Sequence, residues 1–298
     1  MSEYLLYPGC VASVRELGYE MAMRAVFKAL GASLKERDDF NCCMPACLVH
    51  SVDYSKGLAL TSRNLAIAEE EDLPLLTLCS SCFGNLSRAK YLLDNNEDLK
   101  ADVNKSLGKV GRSYSGKAKV QHVVTALYED YKPEVLMNIS VHPLHGLKAA
   151  PFYGCHLFLP QRYAKFDDAD FPEKLGHLIE MTGAESVDYH EKSSCCIGCG
   201  SFFGDVSEEA SLKLAEIILD DVKKAGADAI VATCPFCMMQ LEVGQMKLKE
   251  AKGKEYGLPV FHYVDILGLS MGLKPRELGL DIRRIDSSKL LERLGRSN

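Results

Sequence analysis

Short apolar runs that stop at a cysteine punctuate the chain. Residues 4–7 lead into Pro8-Gly9-Cys10, and residues 73–78 end at Cys79. Residues 151–153 end at Gly154-Cys155, and residues 227–232 end at Thr233-Cys234. Runs this short and this continuously apolar predict strands buried on both faces. Helical periodicity fills the intervals at residues 16–30, 54–71, 171–182 and 207–225. In the last of these Leu212, Leu214, Ile217, Ile218 and Val222 recur, and Lys223-Lys224 with Gly226 close the helix. Strand and helix alternate, so the pattern predicts an α/β fold with mainly parallel sheets. Ligands of such sheets sit beyond the carboxyl ends of the strands, where these cysteines fall.

The pattern occurs twice. The first half reads Tyr7-Pro8-Gly9-Cys10, Cys42-Cys43 and Cys79-Ser80-Ser81-Cys82; the second reads Tyr153-Gly154-Cys155, Cys195-Cys196 and Cys234-Pro235-Phe236-Cys237. The gaps are 31 and 35 residues in the first half and 39 and 37 in the second. Each half is thus C–CC–CxxC with Gly before the first Cys. The fold expected is two tandem, pseudo-twofold-related α/β domains, residues 1–146 and 147–298, with the cysteine sites at the strand ends between them. The turn-rich stretch His142-Pro143-Leu144-His145-Gly146 reads as the linker.

Composition narrows the chemistry. The 298 residues are 47% apolar, enough for a core in each half. A net charge of −6 argues against nucleic acid, whose phosphates want a basic face. No run reaches the 18 or so apolar residues of a membrane span, and the N-terminus has no export signal, so a cytoplasmic chain is expected. Twelve cysteines in such a chain read as metal or redox ligands rather than structural disulfides.

Thiolates select zinc, copper(I) or iron–sulfur clusters. Structural zinc takes four ligands in two local pairs, whereas each half here offers five cysteines from three segments, two of them adjacent. Neighbouring cysteines reach different irons of a larger cluster more readily than one tetrahedral ion. The tight CxxCxxC run of a ferredoxin is absent. Iron–sulfur clusters are therefore expected, with zinc in one half as the alternative.

The doubled C–CC–CxxC motif resembles the B subunit of heterodisulfide reductase and its relatives, the CCG-domain family, over nearly the whole chain. The resemblance implies one noncubane 4Fe-4S cluster per half, described as fused 3Fe-4S and 2Fe-2S units. Cys10, Cys42, Cys43, Cys79 and Cys82 would hold the first, and Cys155, Cys195, Cys196, Cys234 and Cys237 the second. The chain departs from the family where Met44 and Ile197 follow the Cys-Cys pairs in place of Gly. Cys47 and Cys199 are additional and are not counted as ligands.

By the same resemblance the substrate is a disulfide, coenzyme M–S–S–coenzyme B, entering between the clusters and reduced to two thiols by one electron from each. Duplication suits a substrate with two sulfurs. The product thiols need protons, and His156 beside Cys155 is the nearest candidate donor; His50, His142 and His145 are weaker ones. A few Lys or Arg should line the route of an anionic substrate. Electrons would arrive from a ferredoxin-like 4Fe-4S subunit fed by a flavin-containing subunit, as the chain itself has no flavin fingerprint. Relatives also serve sulfur-oxidising complexes and succinate:quinone or fumarate reductases, and a pure electron-transfer module is a further alternative. Residues 264–273 are expected as a core helix and residues 282–294 as a solvated or subunit-docking helix, favoured over a membrane-surface helix because acids are interspersed and aromatics absent.

Overall fold

A computed structural model describes residues 2–45, 53–204 and 206–296 of the chain. Two sheets of four strands each carry the fold. The first holds β1 (Glu3–Tyr7), β2 (Ser33–Lys35), β3 (Leu75–Thr77) and β4 (Val120–His122) in the order β2-β1-β3-β4. The second holds β5 (Lys148–Phe152), β6 (Glu185–Ser186), β7 (Ala229–Ala232) and β8 (Val260–His262) in the order β6-β5-β7-β8. Every pairing is parallel. The strand order of one half is thus the strand order of the other, and the α/β duplication read from the cysteines holds in the backbone.

The central strands β1, β3, β5 and β7 are the four apolar runs of the sequence. They are almost wholly buried because helices cover both faces. The edge strands β2 and β6 are two or three residues long and largely exposed, so they left no apolar run to read. The expected helices appear at Leu17–Ala29, Tyr54–Glu71, Lys174–Met181 and Glu208–Lys224. Asp53 caps the second, accepting from the Lys56 amide at 3.0 Å, and Ser207 caps the fourth, accepting from the Ala210 amide at 3.3 Å.

Two long helices, Ser80–Asp94 and Pro235–Lys252, begin at the CxxC motifs. The segment expected as a core helix is one: every residue of Tyr263–Ser270 is buried. Residues 282–294 correct the expectation. Only Ser288–Arg293 is α-helical, and Arg283, whose side chain is 4% exposed, lies in a buried ion-pair network instead of on a solvated face. The cause is three buried carboxylates, Glu16, Glu242 and Asp265, which need cationic partners. Among the described residues no helix is long and apolar enough to cross a membrane.

Candidate metal centres

The backbone at each cysteine follows from the strand ends. β1 and β5 each run into a glycine with positive φ, Gly9 at 70° and Gly154 at 68°. A Cβ on Gly9 would stand 3.2 Å from Cys82 Sγ, and one on Gly154 3.5 Å from Cys237 Sγ. The glycine before each first cysteine therefore lets the turn close against the last cysteine of its own half. Two residues beyond β3 and β7 stand Cys79 and Cys234, the N-caps of the two long helices. The CxxC motif thus wraps the first helical turn, placing Cys82 and Cys237 near their partners three residues back, where the helix dipole favours thiolate.

The adjacent pairs follow the edge strands. Cys43 and Cys196 are buried, while Cys42 is half-buried and Cys195 exposed. The next residues, Met44 and Ile197, take left-handed φ of 51° and 59°. This is the conformation that glycine adopts without cost, and it explains why the family carries Gly after Cys-Cys. The left-handed turn aims amides back at sulfur. Ile197 N–H lies 3.4 Å from Cys195 Sγ, Gly198 N–H lies 3.3 Å from Cys196 Sγ, and the Met44 amide bonds Cys42.

All ten sequence-predicted cysteines come together. In the second half Cys155 and Cys195 sulfurs are 3.9 Å apart, and Cys196 and Cys237 sulfurs 3.1 Å. In the first half Cys10 bonds Cys42, Cys42 bonds Cys43, and Cys82 bonds both Cys43 and Cys79. The two sets meet where Cys79 Sγ lies 3.7 Å from Cys234 Sγ. At the same junction Ser80 Oγ donates to the Thr233 carbonyl at 3.1 Å. Cys199 is half-buried and lines the cavity at the second set; Cys47 and His50 lie outside the described residues.

Sharing of protons shapes the electrostatics. Hydrogen bonds from Cys10 and then Cys43 hold Cys42 low, at about 3, and a hydrogen bond from Cys155 holds Cys195 at about 6. The partners are pushed the other way: their hydrogen bonds to Cys42 raise Cys10 and Cys43, and the bond to Cys195 raises Cys155. Cys82 also rises well above an ordinary thiol through its bonds to Cys43 and Cys79, and Cys237 through its bonds to Cys196 and Cys234. Thiols this crowded cannot all ionise without a cationic framework to neutralise them. In each half the soft donors are a single cysteine and two pairs, drawn from three segments. Among the described residues no three His, Cys, Asp or Glu side chains close around a single-ion position. This donor set fits a multi-iron cluster in each half.

His156 stands against Cys155, its Nδ1 3.8 Å from the sulfur, and burial lowers its pKa so that the ring stays neutral. His142 and His145 are exposed in the connector between the sheets. Sequence reasoning missed His122 and His262, the last residues of β4 and β8. Both are fully buried, and each Nδ1 accepts the amide two residues on, at 3.2 and 3.3 Å. Their rings lie 6.2 Å apart, and Tyr19 stacks on His262 at 3.9 Å while donating to the Leu78 carbonyl at 2.6 Å. Alignment of His122-Val123-Val124-Thr125 with His262-Tyr263-Val264-Asp265 would have found the pair. A cavity of about 340 Å³ is lined by Phe83, the residue after Cys82; Arg162 and Lys165 bring positive charge to it, Glu129 negative charge, and Lys90 pairs with Asp94 at 2.7 Å.

Comparison with known proteins matches this geometry. Residues 4–87 and 149–242, which carry the two cysteine sets, match the CCG cysteine-rich domain. The B subunit of the Ferredoxin/F(420)H(2)-dependent CoB-CoM heterodisulfide reductase of Methanosarcina acetivorans is 36% identical over 295 residues, 99% of this chain and 97% of its own length. The 8-methylmenaquinol:fumarate reductase membrane anchor subunit of Wolinella succinogenes is 34% identical over 289 residues, 97% of this chain and 99% of its own. Among solved structures, a hypothetical protein from Helicobacter pylori has the same fold, with a TM-score of 0.75 at 16% identity; the match covers 96% of this chain and 52% of that one. With two matched domains and a near full-length relationship to the B subunit of a heterodisulfide reductase, this chain belongs to the CCG cysteine-rich domain family.

Proposed function

We propose that this chain is the iron–sulfur subunit of a heterodisulfide reductase complex, reducing the disulfide of coenzyme M and coenzyme B to two thiols. Each half holds one noncubane 4Fe-4S cluster, the first through Cys10, Cys42, Cys43, Cys79 and Cys82, the second through Cys155, Cys195, Cys196, Cys234 and Cys237. The observation that carries this is the 3.7 Å approach of Cys79 to Cys234. It brings two equivalent sulfur sets to one junction, where a bond between two sulfurs can be met from both sides.

Breaking a disulfide takes two electrons, and each cluster supplies one when bound. The chain's own residues shape the rest. Gly9 and Gly154 let the cysteine turns close, and the left-handed turns at Met44 and Ile197 aim amides at sulfur. His156 beside Cys155 relays a proton to one departing sulfur, giving up its Nδ1–H as Nε2 takes a proton from solvent, and the second sulfur is protonated from solvent. Arg162 and Lys165 suit the anionic ends of the substrate. A ferredoxin-like 4Fe-4S subunit, fed by a flavin-containing subunit, delivers the electrons.

The test is Cys82→Ser in the purified, reductant-supplied complex. Heterodisulfide cleavage should be abolished, and full turnover with one cluster would overturn the reading. The 34% identity to a fumarate reductase anchor subunit favours a second reading, an electron-transfer subunit serving a quinone. Quinone reduction in membrane fractions, with no heterodisulfide cleavage, would select it.

A further inference from the structure

The two sites share one plan, yet among the described residues the hydrogen bonds donated to the buried cysteine of each adjacent pair differ. In the second half Gly198 N–H donates to Cys196 Sγ at 3.3 Å. The residue in that place in the first half is Pro45, whose nitrogen carries no hydrogen. Cys43 receives a longer bond instead, from Asn85 Nδ2 at 3.8 Å. The counterpart of Asn85, Gln240, turns away to Ser211 Oγ at 2.7 Å.

A second difference points the same way. Cys155 is followed by His156, whose Nδ1 lies 3.8 Å from its sulfur; Cys10 is followed by Val11, which has no side-chain donor. Facing a thiolate, which can only accept, Nδ1 is the atom that carries the hydrogen. Exposure does not counter this, because each set has one exposed cysteine, Cys10 and Cys195. Hydrogen bonds to ligand sulfur stabilise the more negative, reduced state of a cluster and raise its potential.

We propose that the pair is polarised, with the second-half cluster at the higher potential, so that the first electron delivered settles there and the first-half cluster is filled second. His156 and the Gly198 amide are the positioning groups that set this order. The inference rests on the reading that each half holds an iron–sulfur cluster.

Stepwise potentiometric reduction of the intact complex, followed by electron paramagnetic resonance, tests it. Two midpoint potentials are expected. The higher should vanish in Cys237→Ser and the lower in Cys82→Ser. His156→Val, which copies the first half, should shift the higher potential down and leave the lower in place. Pro45→Gly and Val11→His, which add donors to the first site, should shift the lower one up. Equal potentials, the reverse order, or no shift in the loaded variants would overturn the polarity. Absence of any cluster signal from the wild-type protein would instead overturn the reading on which it rests. If His156→Val fails to load its cluster, the two first-half variants decide the matter alone.

Discussion

The two halves repeat one strand order and one set of cysteine turns, but they close their last strands differently. In the first half His122 caps the helix Val123–Glu129, and its amide donates to the neutral Thr125 Oγ1 at 2.8 Å. In the second, the His262 amide donates at 2.7 Å to Asp265, a fully buried carboxylate whose two oxygens each lie 2.9 Å from Arg283 Nη2. The same C-terminal segment carries Arg284, which reaches Glu242 at 2.8 Å and Glu16 of the first half. The second half therefore carries a charged joint that also ties down the first. What survived duplication is the backbone that places sulfur. What diverged is the polar chemistry around it, which fixes how the halves meet.

The largest test of the likeness is removal of one ligand from each half in turn. Cys82→Ser and Cys237→Ser should each cut bound iron by about half while abolishing disulfide cleavage, because ligand loss empties one site and spares the other. Iron analysis of the purified complex reads this, and loss of both clusters from either change would show that the halves do not load independently. The difference at the joint comes next. Arg283→Ala leaves Asp265 buried and unpaired and should cost about 3–5 kcal/mol in urea unfolding. Combining Asp265→Thr with Arg283→Met, which copies the neutral first-half arrangement, should recover most of that loss.

Acidity sharpens the same contrast. Burial holds Asp265 up at about 6, and burial with the neighbouring Glu242 charge holds Glu16 up at about 7. Both bind a proton more readily in the folded chain than in the unfolded one, where carboxyls titrate near 4. Their contribution to stability is therefore fullest below about pH 4 and is lost as pH rises through 6 to 7. Thermal unfolding across that range should show the decline, and Glu16→Gln should flatten it. The smallest effect lies in the turns. Ile197→Gly should stabilise by about 1 kcal/mol, since a β-branched residue at φ 59° gives up its strain. Met44→Gly should gain less, and thermal unfolding separates the two.

Much of this was legible in the residues. Continuous apolar runs could only be strands covered on both faces, so β1, β3, β5 and β7 were readable, and capped periodic stretches such as Tyr54–Glu71 were too. The edge strands β2 and β6 were not, because two or three half-solvated residues carry no periodicity. Arg283 and Arg284 were misread as solvated because a sequence shows charge without showing the buried acids that will receive it. His122 and His262 escaped notice because no cysteine-like spacing marks a buried helix cap.

The sequence by itself determined the duplication, the fold class, the ten cysteines and the odd residues at positions 44 and 197. Each of these is a matter of residue type and local spacing, which the chain carries along its length. Only the tertiary structure decided that Cys79 meets Cys234, that Met44 and Ile197 accept a left-handed turn, and that the C-terminal arginines lock the halves. Those depend on segments 155 or more residues apart, or on backbone angles that the surrounding fold imposes against local preference.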